Sequence, residues 1–243
     1  MANVQVSAVD IERIWHADYT VWADKTSIAG TDIYALLNNA STKEVMNVHQ
    51  DTWQIEESEA SQEKYKNQLT GNVYRMGAKE MGEVTVQFTI GKYDYATKAD
   101  LLGGSVIYNK VTLYGSAANS PTLYGSSGSG HTVEVVINDG RILYKKPNSE
   151  EYSITKSGDY SEAVQICNAV GWQRARGIVE IKRILIGLTE DGQYVIFPQA
   201  NFNTREANTD KAIGLAVTAT AMEPDNEAIS AEYWYDKSVV TAS

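Results

Sequence analysis

Cysteine, histidine, proline and clustered basic charge are all scarce in this 243-residue chain, which holds one Cys, three His and four Pro. The single thiol, Cys167, excludes an intrachain disulfide. Its neighbours Ile166, Ala169 and Val170 suit a small, inert, buried side chain. His16, His49 and His131 lie far apart with no second ligand at metal spacing, so no metal site is expected. Basic residues never run beyond a pair such as Lys145–Lys146, and the net charge is −10. A protein that grips nucleic acid by its phosphates needs the opposite, so specific DNA binding is not expected. No segment approaches the ~18 apolar residues of a membrane helix. The start, MANVQVSAVDIERIW, has neither the basic residues nor the apolar run of a secretion signal. The expectation is a chain made in a reducing cytoplasm, with no membrane partner.

Catalytic patterns are missing as well. The glycines 125, 128 and 130 fit neither phosphate-binding spacing. Ser129 sits near His131, but the Gly-x-Ser-x-Gly frame is incomplete. Glu56, Glu57 and Glu59 form the densest acidic run, with Glu57 and Glu59 on one strand face. No apolar residues surround them to raise a pKa, so they read as a solvated face. The tyrosines and tryptophans lack the basic interleaving of a base-stacking platform. The expectation is no enzyme and no cofactor.

What is present is architecture. Hydrophobic residues make up 43% of the chain, enough for a core. Val84, Val86, Phe88 and Ile90 alternate with Thr85, Gln87 and Thr89, the period-two signature of a half-buried strand. A short helix follows from Ala96 through Ala99 to Leu101 and Leu102, stopped by Gly103 and Gly104. It is expected to pack on the outside of a sheet through Leu101 and Leu102. Two hairpins are expected around Asp-Gly turns: 132–137 with 141–144, and 178–188 with 194–198. Segment 106–114 reads as one strand, and 160–170 as a second short helix from the spacing of Ala163, Val164 and Cys167. Segment 31–39 fits either a strand or a helical turn. The last strand, 211–222, sets Ile213, Leu215, Val217, Ala219 and Ala221 on one face and only small residues on the other. Tyr233, Trp234 and Tyr235 argue that the C-terminal segment docks.

Two stretches interrupt this pattern. Residues 41–83 are long and polar, and read as an extended hairpin or arm projecting from the body. Its candidate contact residues are Trp53, Ile55, Glu57, Glu59, Tyr65, Tyr74 and Arg75. Residues 115–131 are rich in Gly and Ser and read as a flexible loop.

The pairing of FTIGKYDYATKADLLGG (88–104) with VIFPQANFNTREANTDKAIGLAVTATAMEP (195–224) resembles the tail tube proteins of long-tailed bacteriophages. These in turn look related to the inner tube proteins of contractile injection systems. The similarity covers the strand-helix element and the C-terminal third. It implies a single domain over 1–243, all-β with one or two short helices, in which two packed antiparallel sheets form a near-barrel. It further implies a virion structural protein made in the bacterial cytoplasm. Rings, usually of six subunits, would stack into a hollow tail through which DNA leaves, with an arm from one ring reaching the next. The strands marked by Val84, Val86, Phe88, Ile90, Ile213, Leu215 and Val217 would form the ring and its lumen. Its partners would be copies of itself together with the tape-measure, terminator and baseplate proteins. The acidic balance leads to the expectation of carboxylates along the lumen, which repel DNA phosphates. A capsid or baseplate component, the inner tube of an injection device, and a secreted carbohydrate-binding sandwich are the alternatives.

Overall fold

The computed structural model describes residues 10–80, 82–208 and 213–242. Contacts within the chain divide it into two compact units, 1–93 with 178–243, and 94–177. Along the chain, the second is therefore inserted into the first. Both units are built from antiparallel strands, with two short α-helices among the described residues.

The first unit opens with β1 (Ile11–Asp18), α1 (Gly30–Leu37), β2 (Lys43–Glu44), β3 (Gln54–Glu57), β4 (Ser61–Lys66), β5 (Val73–Glu80) and β6 (Val84–Ile90). The inserted unit carries α2 (Tyr95–Leu102), β7 (Ser105–Tyr108), β8 (Val111–Gly115), β9 (Thr122–Tyr124) and β10 (Val133–Ile137). It continues with β11 (Leu143–Lys145), β12 (Glu151–Ser153), β13 (Glu162–Val164) and β14 (Ala169–Gln173). The chain then returns to the first unit with β15 (Lys182–Thr189), β16 (Gln193–Asn208), β17 (Ile213–Ala221) and β18 (Tyr233–Asp236).

The main sheet of the first unit runs β2-β1-β15-β16-β17-β6-β3, with β18 also pairing β16. Its order is an open path. Among the described residues no strand ladder closes it into a barrel, but the sheet rolls strongly. Trp53, at the β3 end, stacks on Phe88 with ring centroids 5.9 Å apart. The same indole lies where a side chain on Gly187 of β15 would be, 3.0 Å from that missing Cβ, with Ile11 at 2.8 Å. Only glycine admits that approach between distant strands of one sheet.

A strap completes the roll. Its start, Lys43 and Glu44, pairs with His16 and Trp15 of β1, and the Val45 N–H donates to Ile14 C=O at 2.8 Å. Its end turns to β6, where the His49 N–H donates to Thr89 C=O at 2.8 Å and Gly91 N–H donates to Asn47 C=O at 2.9 Å. Asn47 and Asp51 take φ near 60°, a left-handed geometry that asparagine and aspartate tolerate best among residues with a Cβ. A chain that kinks twice can bond one strand and then another without forming a regular ladder. Residues 43–52, included in the expected arm, thus lie along the sheet.

Alternation explains the two sides of the sheet. Ile14, Leu185, Val195, Phe197, Phe202, Val86, Phe88, Ile90, Leu215 and Val217 are all buried, and the strand registers set them on the concave side. On the other side, Trp15, Ala17, Ile184, Ile186, Leu188, Tyr194 and Ile196 pack with Ile33 and Leu36 of α1, with Trp22, and with Ile229 and Val240. Strands β15 and the first half of β16 are therefore apolar on both faces. The expected docking of the C-terminal segment takes the form of β18, whose Tyr233, Trp234 and Tyr235 pair with Ile196, Val195 and Tyr194.

The inserted unit holds a six-stranded sheet, β10-β8-β9-β12-β11-β13, and a two-stranded sheet of β14 and β7. Its core is Leu113, Leu123, Ile137, Leu143, Tyr152 and Cys167. Several sequence expectations are corrected here. Segment 160–170 forms β13, a buried turn at Cys167 and the start of β14, not a helix. Val164, Ile166 and Val170 are β-branched, and edge pairing with β11 and β7 outweighs three residues at helical spacing. Segment 106–114 breaks at Asn109 and Lys110 into β7 and β8, which belong to different sheets. The expected hairpin 132–137 with 141–144 is absent, because β10 pairs β8 while β11 pairs β12 and β13. Gly140 is not in the positive-φ region that such a turn requires. It is a point of close approach, where a Cβ would fall 2.4 Å from the Tyr108 hydroxyl. The Gly/Ser stretch 115–131 is not wholly a loop, since it contains β9.

Other expectations agree. Strand β6 has the predicted bounds, and α2 begins one residue early, capped by the Asp94 carboxylate on Thr97 N–H at 2.7 Å. Gly103 and Gly104 take φ of 79° and 96°. The hairpin of β15 and β16 turns through Asp191 and Gly192, with Gly192 at φ 84°. Residues 211 and 212 of the expected last strand lie outside the described residues. The helix α2 packs against β14 and β7 of its own unit, with Leu101 fully buried and Leu102 half-buried.

Two substitutions test this packing. Leu101→Asp should lower the unfolding free energy by at least the ~2–5 kcal/mol typical of a lost core leucine, read from a urea titration; an unchanged midpoint contradicts the placement of α2. Gly187→Ala should cost ~1–3 kcal/mol because Trp53 and Ile11 leave no room for a methyl group; a neutral effect in the same titration contradicts the rolled sheet.

Candidate self-assembly surface

Beyond Glu57 and Val84, the β3–β6 pair leaves the sheet and continues as a free ribbon. Ser58 N–H donates to Glu83 C=O at 2.9 Å, and Glu83 N–H donates to Ser58 Oγ at 2.8 Å. Among the described residues, strands β4 and β5 then pair only with each other. The ten residues from Ser58 to the tip correspond to roughly 30 Å of extended chain.

Every residue of β4 is exposed, and β5 is exposed almost throughout. Apolar side chains are displayed along the ribbon: Tyr65, Val73, Met76 at 52% exposure and Leu69 at 94%. The register breaks between Gln62 and Lys64 and again between Tyr65 and Lys66, two irregularities that add twist. Tyr65 pairs with Arg75 across the ribbon, with the guanidinium 5.7 Å from the ring. Its hydroxyl donates to Glu63 at 2.6 Å, which raises the phenol pKa. The tip is ordered locally. Asn67 Oδ1 accepts from Leu69 N–H at 2.8 Å and Thr70 N–H at 3.2 Å, and Gly71 takes φ 72°.

The expected arm residues therefore separate into two groups. Trp53, Ile55 and Glu57 belong to the rolled sheet, where Ile55 pairs with Val86 and Glu57 with Val84. Tyr65 and Arg75 belong to the free ribbon, and Glu59 is exposed at its root. Tyr74 lies in β5, but its side chain is outside the described residues.

The second surface is the convex face of β16, β17, β6 and β3. Cross-strand rows read Asn203–Thr218–Gln87–Gln54, then Asn201–Thr220–Thr85–Glu56, and Arg205–Ala216–Thr89. This face is hydroxyl and amide, with one carboxylate and one guanidinium. Among the residues marking these strands, Val86, Phe88, Ile90, Leu215 and Val217 are buried beneath it, Val84 is half-buried and Ile213 is exposed. The other edge of β3 has no strand partner among the described residues.

Charge is divided between the two units. Residues 94–177 contain eight acidic and eight basic side chains, so the excess of 31 acidic over 21 basic residues falls entirely in the first unit. No group of three His, Cys, Asp or Glu comes together as a metal site among the described residues. Burial pushes the Cys167 thiol pKa up, away from the reactive thiolate. No helix of the described residues is long and apolar enough to cross a membrane. The arrangement combines a ribbon that exposes apolar side chains with a strand edge left open among the described residues.

By structure, the chain is mostly β-strand, in several antiparallel sheets with two short helices among the described residues. No protein-family model and no curated protein sequence matches it.

Arg13 fastens the strap to β1 through two hydrogen bonds to Glu44, at 2.7 and 2.5 Å, and these hold the Glu44 carboxyl pKa below its usual 4.5. A lowered carboxylate contributes stability above its unfolded pKa, and that share is lost as pH falls through the folded value. Stability should therefore drop below about pH 4.5, and Glu44→Gln should show a smaller loss in urea midpoint between pH 7 and pH 3 than the parent. An identical loss in both proteins contradicts a role for this pair.

Proposed function

We propose that this chain is a structural virion protein that associates with copies of itself into stacked rings, forming the tube of a phage tail through which DNA is ejected. The observation that carries this reading is the free β4–β5 ribbon. It displays Leu69, Val73 and Met76 to solvent and buries neither face. A two-stranded ribbon is marginal by itself and gains its missing burial from another surface. The likeness of 88–104 and 195–224 to tail tube proteins supplies the identity of that other surface, a neighbouring copy.

In this reading the sheet extends from subunit to subunit around a ring, using the free edge of β3, and the ribbon reaches the next ring. A contact that closes makes a ring and a contact that does not close makes a stack. The convex Asn/Thr/Gln face then lines the lumen. In this reading the lining is close to neutral, with Glu56 its one carboxylate and Arg205 its one guanidinium. Rows of hydroxyls and amides offer no lysine or arginine array to trap phosphates, and the ten excess carboxylates of the first unit discourage DNA from binding elsewhere. The protein works in the virion tail, with tape-measure, terminator and baseplate proteins as its neighbours. The same surfaces would serve the inner tube of a contractile injection device.

Electron microscopy of the concentrated protein should show rods or stacked rings with a central channel. Replacing 61–80 by a short turn should leave a folded subunit, judged by an unchanged far-ultraviolet spectrum for the remaining strands, that no longer forms rods. A protein that stays monomeric at high concentration contradicts the proposal. So does a ribbon deletion that still forms normal rods.

A further inference from the structure

The ribbon ends in an exposed leucine beside basic residues, and the first unit contains an open, largely apolar pocket beside an acidic segment. Leu69 stands at the turn of the ribbon with 94% of its surface exposed, so it fills no site on its own chain. Elsewhere in the same unit, Tyr19, Trp22, Pro198, Pro224 and Ile229 line an open pocket of about 110 Å³. Because the pocket is open to solvent, a side chain from another molecule can enter it.

The polar wall of the pocket is already satisfied. The Gln199 side chain, 2% exposed, donates to Asp225 Oδ1 at 3.0 Å and accepts from Asp225 N–H at 2.9 Å. Asn226 donates its side-chain amide to Trp22 C=O at 3.1 Å and Lys25 C=O at 2.6 Å. What remains open to a visitor is mainly apolar, with the exposed Asp225 carboxylate at its rim. Charge agrees with shape. Around the ribbon tip, from 63 to 76, three basic residues, Lys64, Lys66 and Arg75, outweigh Glu63, although the whole chain is strongly acidic. Beside the pocket, Glu223, Asp225 and Glu227 are all exposed.

We propose that the pocket of Tyr19, Trp22, Pro198, Pro224 and Ile229 receives Leu69 of a second copy, with the basic tip seated against the acidic 223–227 segment. This rests on the stacked-ring reading and names the receiving site for its arm. Leucine and pocket lie on different surfaces of one subunit, so the contact is heterologous and propagates along a stack. The buried leucine supplies affinity, and the charged rim orients the approach.

The test is a disulfide trap in the full chain. Leu69→Cys is combined with Ala23→Cys, an exposed position on the pocket wall, and the concentrated protein is oxidised with copper phenanthroline. The native Cys167 is buried and does not interfere. The expected result is a ladder of covalent multimers from the double variant, with nothing beyond a dimer from Leu69→Cys alone. Leu69→Asp should raise the concentration needed for assembly at least tenfold without moving the subunit's melting temperature. Rods with no ladder overturn the pocket assignment and leave the tube reading standing. Neither rods nor ladder overturns both.

Discussion

A β-ribbon with water on both faces holds itself together only by its ladder of hydrogen bonds. Each of those bonds replaces one to solvent, so the net gain is small. Strands β4 and β5 are in this position, and yet they and their turn carry Tyr65, Leu69, Val73 and Met76, which lose free energy in water. That unmet burial is the constraint from which the functional reading descends. The rest of the first unit is arranged to present the ribbon firmly. Trp53, at its root, is clamped between Phe88 and Gly187, and the strap of 43–49 bonds β1 and then β6 on the adjoining edge.

The sheet that bears the ribbon has three kinds of surface, and strand alternation sorts residues among them. Its concave side is a closed apolar core. Its convex side is apolar where α1 covers it and polar where β16, β17, β6 and β3 run free. A single strand serves two of these roles: β16 is buried over its first half and turns amphipathic beyond Phe202. The inserted unit stands apart in charge, being neutral within an acidic chain. It has its own core around Leu143 and Cys167, and its ends meet where Ser105 pairs with Gln173. Such an insertion leaves the strand order of the host sheet untouched.

Strands with a continuous period of two were legible in the sequence. β6 and β17 each alternate over seven residues or more, and the turn at Asp191 and Gly192 imposes the hairpin between β15 and β16 by backbone geometry. Helix α2 was legible because its cap and its glycine stops are local. The inserted unit was not, since its strands are three to five residues long and pair in an order that skips along the chain. Asp139 and Gly140 misled because the glycine serves close packing against Tyr108 rather than a positive φ. The strap was hidden for a related reason: its partners, β1 and β6, are remote in sequence. At the candidate surface, the polarity of 41–83 pointed to a projecting arm, but residues 43–57 lie along the sheet and the ribbon begins only at Ser58. The pocket facing solvent between Trp22 and Pro224 had no sequence signal, because its walls come from three separated segments.

Hydrogen–deuterium exchange, compared between dilute subunit and concentrated protein, tests the central claim most directly. The amides of β4 and β5 should exchange orders of magnitude faster than those of β15 and β16 in the dilute subunit. On concentration they should slow together with the free edge of β3. Exchange in the ribbon that is independent of concentration, with the protein assembled or not, would contradict an account in which this hairpin finds its burial on another copy.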